Sequence, residues 1–149
     1  MSNRDEKYIS IRQRHRTACG EACLRMVAAY WNHEWLPDLE DYCANSNILL
    51  SLYDLTLMAQ KLGFVSEARG VTFEHLLSIP LPLIAHVRGN HYIMVTRVTG
   101  CTVEGIDPVS GPFNITSAEF LRRWHRNQRE QGIVLLIQPE YNSGLAPIS

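Results

Sequence analysis

The feature that most constrains the fold is a change of hydrophobic period along the chain. Through Leu77 the apolar residues recur at helical spacing; from Leu81 onward they gather in short runs rich in Val, Ile and Thr, divided by turn signals. Cys19, Ala22, Cys23, Met26, Val27 and Tyr30 fall at i, i+3, i+4, i+7, i+8 and i+11, which predicts a helix from Cys19 with one apolar face. A short helix is expected over Leu36–Ala44. Ser51, with Asp54 three residues on, caps the periodic run Leu52–Leu62, and Gly63 stands where a helix end favours positive φ. Thr72 caps a short helix through Leu77, with Glu74 in its first turn. Leu81–Val87, His91–Val98 and Cys101–Ile106 read as strands, with Gly89-Asn90 and Thr99-Gly100 as hairpin turns and Asp107–Gly111 as a longer turn. Ser117 is expected to cap a helix over Ala118–His125, and Ile133–Gln138 to form a final buried strand. Helices first and antiparallel strands after them predict an α+β fold, with N-terminal helices packed on a C-terminal antiparallel sheet.

The chain has 149 residues, 46% of them hydrophobic, enough for one domain (residues 1–149) with a core over about residues 9–139. Fourteen basic and fifteen acidic residues leave a net charge of −1, which argues against a nucleic-acid partner bound by bulk charge. No apolar run approaches the about 20 residues of a membrane helix, so direct membrane insertion is not expected, and the polar N-terminus shows no secretory signal. Arg4, Lys7, Arg12, Arg14 and Arg16 near the N-terminus read as a solvated basic arm. Cys19, Cys23, Cys43 and Cys101 read as free thiols of a reducing compartment. Cys19-x3-Cys23 lacks the second ligand pair of a structural zinc site, so no metal is expected.

Cys19 stands at the expected first turn of a helix, where free backbone N–H groups and the helix dipole favour a thiolate. Position alone leaves two readings, a nucleophile or a buried small apolar residue. Cys23, one turn on, reads as core, and Cys43 and Cys101 offer nothing beyond that. Among the six histidines, His15 and His33 read as solvated, His75 and His125 sit in short helices, and His86 is mid-strand. His91 opens a strand directly after a turn, where sites are often built. Asp107 ends the following strand, and a hairpin brings its two open ends together. An acid there can hold one imidazole nitrogen; Asp107-Pro108 is equally a turn opener. Gln13, just upstream of Cys19, can donate its side-chain N–H to an oxyanion, although alone it would carry no weight. Trp31, Trp35, Tyr92 and Trp124 are candidates for the walls of a substrate channel or for ordinary core.

Together, Gln13-x5-Cys19-Gly20-x-Ala22-Cys23-Leu24-x-Met26, then His91-Tyr92-Ile93-Met94-Val95, then Asp107-Pro108-x2-Gly111 resemble the papain-like peptidase domain of bacteriocin-processing ABC transporters. The connectors match as well: a Leu-Gly-Phe turn at Leu62-Gly63-Phe64, the strand Leu81–Val87, and the late helix Ser117–Trp124. The chain departs from the family at Ala18, where Asp is common, and at Asn32, where Gly is usual.

The resemblance implies a cysteine endopeptidase cleaving after a Gly-Gly or Gly-Ala pair. Cys19 is then the nucleophile, His91 the base, Asp107 the orienting acid and Gln13 the oxyanion donor, with no metal or organic cofactor. It implies a peptide or protein substrate with a Gly-Gly motif. The setting would be bacterial cytoplasm beside an ABC transporter core, or a target cell's cytoplasm if the domain is a delivered effector with an immunity protein. The alternative is a non-catalytic peptide-docking domain on the same fold; such domains typically lose the cysteine, which this chain keeps.

Overall fold

The computed structural model describes residues 8–13, 18–37, 39, 50–125 and 130–140. His15, Cys43, Arg4, Lys7, Arg14, Arg16 and most of the helix expected over 36–44 lie outside them. The described elements are α1 (Cys19–Tyr30), α2 (Leu52–Lys61), β1 (Phe64–Val71), α3 (Phe73–Leu76), β2 (Leu83–Val87), β3 (His91–Val98), β4 (Thr102–Asp107), β5 (Gly111–Thr116), α4 (Ser117–Trp124) and β6 (Gly132–Pro139). The strands form one antiparallel sheet in the order β1-β6-β2-β3-β4-β5.

Local chemistry sets the helix ends. α1 closes with a Schellman pattern: His33 N–H donates to the Ala28 carbonyl (2.8 Å) and Asn32 N–H to the Ala29 carbonyl (3.1 Å). Asn32 sits at φ 59, and asparagine is among the few non-glycine types that enter the left-handed region readily. α2 begins with the expected capping box, Ser51 and Asp54 exchanging side-chain bonds with each other's backbone N–H groups, and is followed by Gly63 at φ 98. α4 is capped one residue earlier than expected, by Thr116, whose Oγ1 accepts from Glu119 N–H at 3.1 Å. Ser117 instead donates to the Gly100 carbonyl.

The sheet is covered on both faces. On one side α1 and α2 pack Cys23, Leu24, Val27 and Leu55 against Ile84, Met94, Ile106 and Leu135. On the other, Leu76, Phe120 and Trp124 pack against Leu83, Ala85, Ile93, Val95 and Val134. The strictly alternating assignment of Leu83, Ile84 and Ala85 shows β2 feeding both layers. Nearly all of α1 is buried, not the single face its spacing predicted; Arg25, Ala29 and Tyr30 are its half-exposed residues.

Two strands escaped the sequence reading, β1 and β5, and these are the sheet's two edges. β1 presents Val65, Glu67, Ala68 and Arg69 to solvent, and β5 carries Pro112, tolerable on an outermost strand. The strand pairing β3·β4 also contains a bulge. Val95 pairs with Gly105, but Arg97 pairs with Glu104, leaving Thr96 as the extra residue; its Oγ1 donates to the Glu104 carbonyl at 3.2 Å. No helix among the described residues is long and apolar enough to cross a membrane.

Candidate functional site

The site is assembled where the first turn of α1 meets the open end of the β3–β4 hairpin. Cys19 opens α1 and is buried, 2% exposed. The next residue, Gly20, lets α1 approach its neighbours. A Cβ there would lie 3.1 Å from both Leu55 methyl carbons and 3.4 Å from Tyr92 Cδ2. Tyr92 is fixed in turn by its hydroxyl, which donates to the Leu50 carbonyl at 3.0 Å. Tyr92 follows His91 in β3, so the packing of Tyr92 beside Gly20 brings the histidine to the cysteine.

His91 follows the Gly89-Asn90 turn, whose φ values of 82 and 53 give the doubly left-handed hairpin form. Its Nε2 lies 2.8 Å from Asp107 Oδ1. The same oxygen accepts the Val109 N–H at 2.8 Å, so Asp107 is both turn opener and imidazole partner. The two readings left open by the sequence are therefore not exclusive. The imidazole is raised from 6.5 to about 9, first by its hydrogen bond with Asp107 and next by a side-chain hydrogen bond with Cys19. Burial opposes this, and the charges of Asp107 and Cys19 add to it. With Nε2 held by Asp107, Nδ1 is the nitrogen left for the thiol. Burial works to raise the Asp107 carboxyl, but the bonds from His91 and from the Val109 and Ser110 backbone, with the charge of His91, leave it below its ordinary value.

Gln13 is placed by its backbone N–H, which donates to the Pro108 carbonyl at 3.0 Å. It lines a cavity of about 150 Å³ together with Ala18, the residue before Cys19, and with Glu21, Ala22 and Arg25 of α1. The structure thus brings Cys19, His91 and Asp107 together and places Gln13 on the Asp107–Gly111 turn, lining a cavity with Ala18. Glu21 and Arg25 were not anticipated. Glu21 is buried and paired with Arg25 at 2.7 Å, and the Arg25 guanidinium lies 4.3 Å above the Trp35 ring. The i,i+4 spacing of opposite charges was the available signal.

Other candidates fall away. Cys23 is fully buried and its thiol is pushed well above its ordinary value, by burial first and then by the charges of Cys19 and Asp107. Cys101 is exposed in the β3–β4 turn rather than core, because the turn needs no apolar cover. His33 is not simply solvated: it stacks on Phe64 at 4.2 Å and its Nδ1 lies 3.1 Å from the Trp31 carbonyl. Trp124 is no channel wall. It is fully buried under the far face of the sheet, stacked on Phe120, with its Nε1 donating to the Ile133 carbonyl at 3.1 Å.

Comparison with known proteins agrees with this geometry. The chain is 28% identical over 137 residues to the lactococcin-G-processing and transport ATP-binding protein LagD of Lactococcus lactis subsp. lactis, a match covering 87% of this chain and 19% of LagD. It therefore spans about a fifth of that relative's length. Its fold superposes on a double glycine motif protease from an AMS/PCAT transporter, solved in complex with the leader peptide. That match has a TM-score of 0.77 and 26% identity, and covers 90% of this chain and 93% of that one. The peptidase domain of Streptococcus ComA, a bi-functional ABC transporter, shares the fold with a TM-score of 0.74 at 21% identity, over 89% of this chain and 99% of that one. The model of the peptidase C39 family matches residues 7–142, and with the papain-like arrangement of helix-borne cysteine and strand-borne histidine in place, the chain belongs to the peptidase C39 family.

Proposed function

We propose that this chain is a cysteine endopeptidase that cuts peptide bonds after a double-glycine pair, with Cys19 as nucleophile. The observation that carries the reading is the line Cys19–His91–Asp107, in which the imidazole is bonded on one side to the carboxylate (2.8 Å) and on the other to the thiol. The sulfur attacks the carbonyl carbon of the scissile bond and a tetrahedral oxyanion forms. The side-chain N–H of Gln13 and the backbone N–H of Cys19 are its donors. His91 gives its proton to the leaving amine as the C–N bond breaks, leaving an acyl-enzyme. Water then adds to the thioester, His91 takes its proton, and the free acid departs as the thiolate is restored. Asp107 holds the imidazole in the orientation both steps need.

The double-glycine specificity is supported by the solved relative that carries a leader peptide, and a processing setting beside a transporter by the described activity of LagD. These relatives favour leader processing over the effector setting. The intact Cys19–His91–Asp107 line favours an enzyme over a docking domain.

The test is a synthetic leader peptide containing Gly-Gly, incubated in reducing buffer and read by mass spectrometry. Wild type is expected to cut after the second glycine. Cys19→Ala should show no turnover, and His91→Ala should be as severe. Cys23→Ser should retain activity with some loss of stability. A fully active Cys19→Ala protein would overturn the reading.

A further inference from the structure

We propose that Arg12 is a positioning residue for this reaction: it staples the segment that carries Gln13 to the turn that carries Asp107, so that the oxyanion donor and the orienting acid are held as one unit. The inference rests on the roles proposed above for Gln13 and Asp107.

The turn Asp107–Gly111 is bonded from both sides. Inside it, Asp107 Oδ1 holds the Val109 N–H (2.8 Å) while also holding His91 Nε2 (2.8 Å). Outside it, the carbonyl of that same Val109 accepts Arg12 Nη1 at 2.7 Å, and the adjacent Pro108 carbonyl accepts the Gln13 N–H at 3.0 Å. Val109 is thus one peptide link between the carboxylate and the guanidinium. Two consecutive residues, 12 and 13, grip two carbonyls of consecutive residues, 108 and 109, the Arg12–Val109 bond spanning 97 positions of sequence. A single hydrogen bond would let the segment pivot about it; two on neighbouring residues fix its direction as well as its position. The Arg12 bond is the charge-assisted one, and so the stronger of the pair in kind.

Gly111 shapes the turn under the staple. It lies at φ 92, and the place its Cβ would take is 3.5 Å from Arg12 Nη2 and 3.9 Å from Cζ and Nε. The guanidinium therefore lies against the bare face of the turn. Arg12 is exposed, lines the same cavity as Gln13, and lies outside the Cys19–His91–Asp107 line. A basic residue in a basic stretch gives no sequence signal of this role. The consequence is mechanical. Proton handling at His91 and oxyanion binding at Gln13 are set by one short turn, and Arg12 couples them.

The experiment uses the whole chain and four variants: Arg12→Ala, Arg12→Lys, Gln13→Ala and the Arg12→Ala/Gln13→Ala double. On the Gly-Gly leader peptide, Arg12→Ala is expected to lower kcat about tenfold with KM changed less than about twofold. Arg12→Lys, which can still donate to the Val109 carbonyl, should recover most of the rate and keeps the proposal testable if the alanine variant folds poorly. In the double variant the loss should be clearly less than the product of the single losses, because both act through one segment. Wild-type kcat in a folded Arg12→Ala protein, or fully multiplicative losses, would overturn the proposal. A second readout needs no substrate: alkylation of Cys19 by iodoacetamide, with exposed Cys101 as internal standard. The Cys19-to-Cys101 rate ratio should fall in Arg12→Ala, and an unchanged ratio would overturn the coupling to the His91 arm. If wild type cut no Gly-Gly peptide, the specificity reading would fail while the alkylation ratio still decided the role of Arg12.

Discussion

At the scale of the residue, the decisive fact is how the protons of one histidine are held. His91 titrates near 9 because Asp107 first, then Cys19, favour its charged form over the cost of burial. A group raised in the folded state stabilises the fold fully below its ordinary 6.5, and that contribution is lost as pH rises through about 9. In the reaction proposed above the same proton is the one given to the leaving amine. The alkaline limb of kcat/KM for a Gly-Gly peptide is therefore expected to have its midpoint near 9. Asp107→Ala should move that limb to lower pH, since Asp107 is the largest cause, and should cost less activity than His91→Ala. A limb that stays in place in Asp107→Ala would separate the carboxylate from the titration. The cysteine and the histidine were legible in the sequence because each stands at a readable boundary, a helix start and a strand start after a turn. Arg12 owes its place to a tertiary contact that a single sequence does not display, whereas Glu21 and Arg25 showed only the i,i+4 spacing of opposite charges.

At the scale of the element, the central strands and the capped helices were legible and the margins of the sheet were not. β2, β3 and β6 are apolar because they feed two cores. β1 and β5 are the outermost strands among the described residues, so their sequences keep Glu67, Arg69, Pro112 and Asn114 and lose the strand signal. The N-terminal helices expected to pack on the sheet have a counterpart in α3 and α4, which close the far face. That far layer depends on one close approach. A Cβ on Gly132 would fall 2.0 Å from Trp124 Cε2, and Trp124 has no exposed surface to move into. Gly132→Ala is therefore expected to destabilise the fold by about 2–3 kcal/mol, seen as a lower urea midpoint at unchanged slope. Because β6 also borders β2, loss of cooperativity instead of a shifted midpoint would mean that the two layers unfold separately.

At the scale of the whole molecule, function follows from where two layers end rather than from any one motif. Cys19 comes from the helical layer, His91 and Asp107 from the sheet, and Gln13 from a segment outside both, so the site exists only when the layers are docked. On the double-glycine reading proposed above, a substrate whose residues before the cut carry side chains is expected to be rejected. Replacing the glycine before the scissile bond by valine should abolish cleavage, while removing the upstream leader segment should lower kcat/KM without moving the cut. Equal rates on Gly-Gly and Val-Val peptides would make this a general peptidase of the same fold.

The bulge at Thr96 can be restated as a matter of parity. Opposed residues of an antiparallel pair share a face, and successive residues alternate. Beyond Thr96 the pairs Met94↔Ile106 and Val95↔Gly105 sum to an even number; before it, Arg97↔Glu104 and Val98↔Val103 sum to an odd one. On the even count His91 and Asp107 stand an even number of steps out of register and share a face. On the odd count they would stand on opposite faces. The packing shows the switch: Val95 and Val98, three residues apart, both serve the same core layer. Deleting Thr96 removes the extra step: Val95↔Gly105 and Arg97↔Glu104 become successive pairs of one regular ladder, and the packed valines and the histidine–carboxylate pair both keep their faces. A folded ΔThr96 protein that keeps its raised imidazole and its activity is the expected result; a folded protein that loses both would show that the bend at the bulge, not the count, aims the imidazole. A one-residue insertion elsewhere in the Thr99–Thr102 turn, which leaves the count alone, should keep activity.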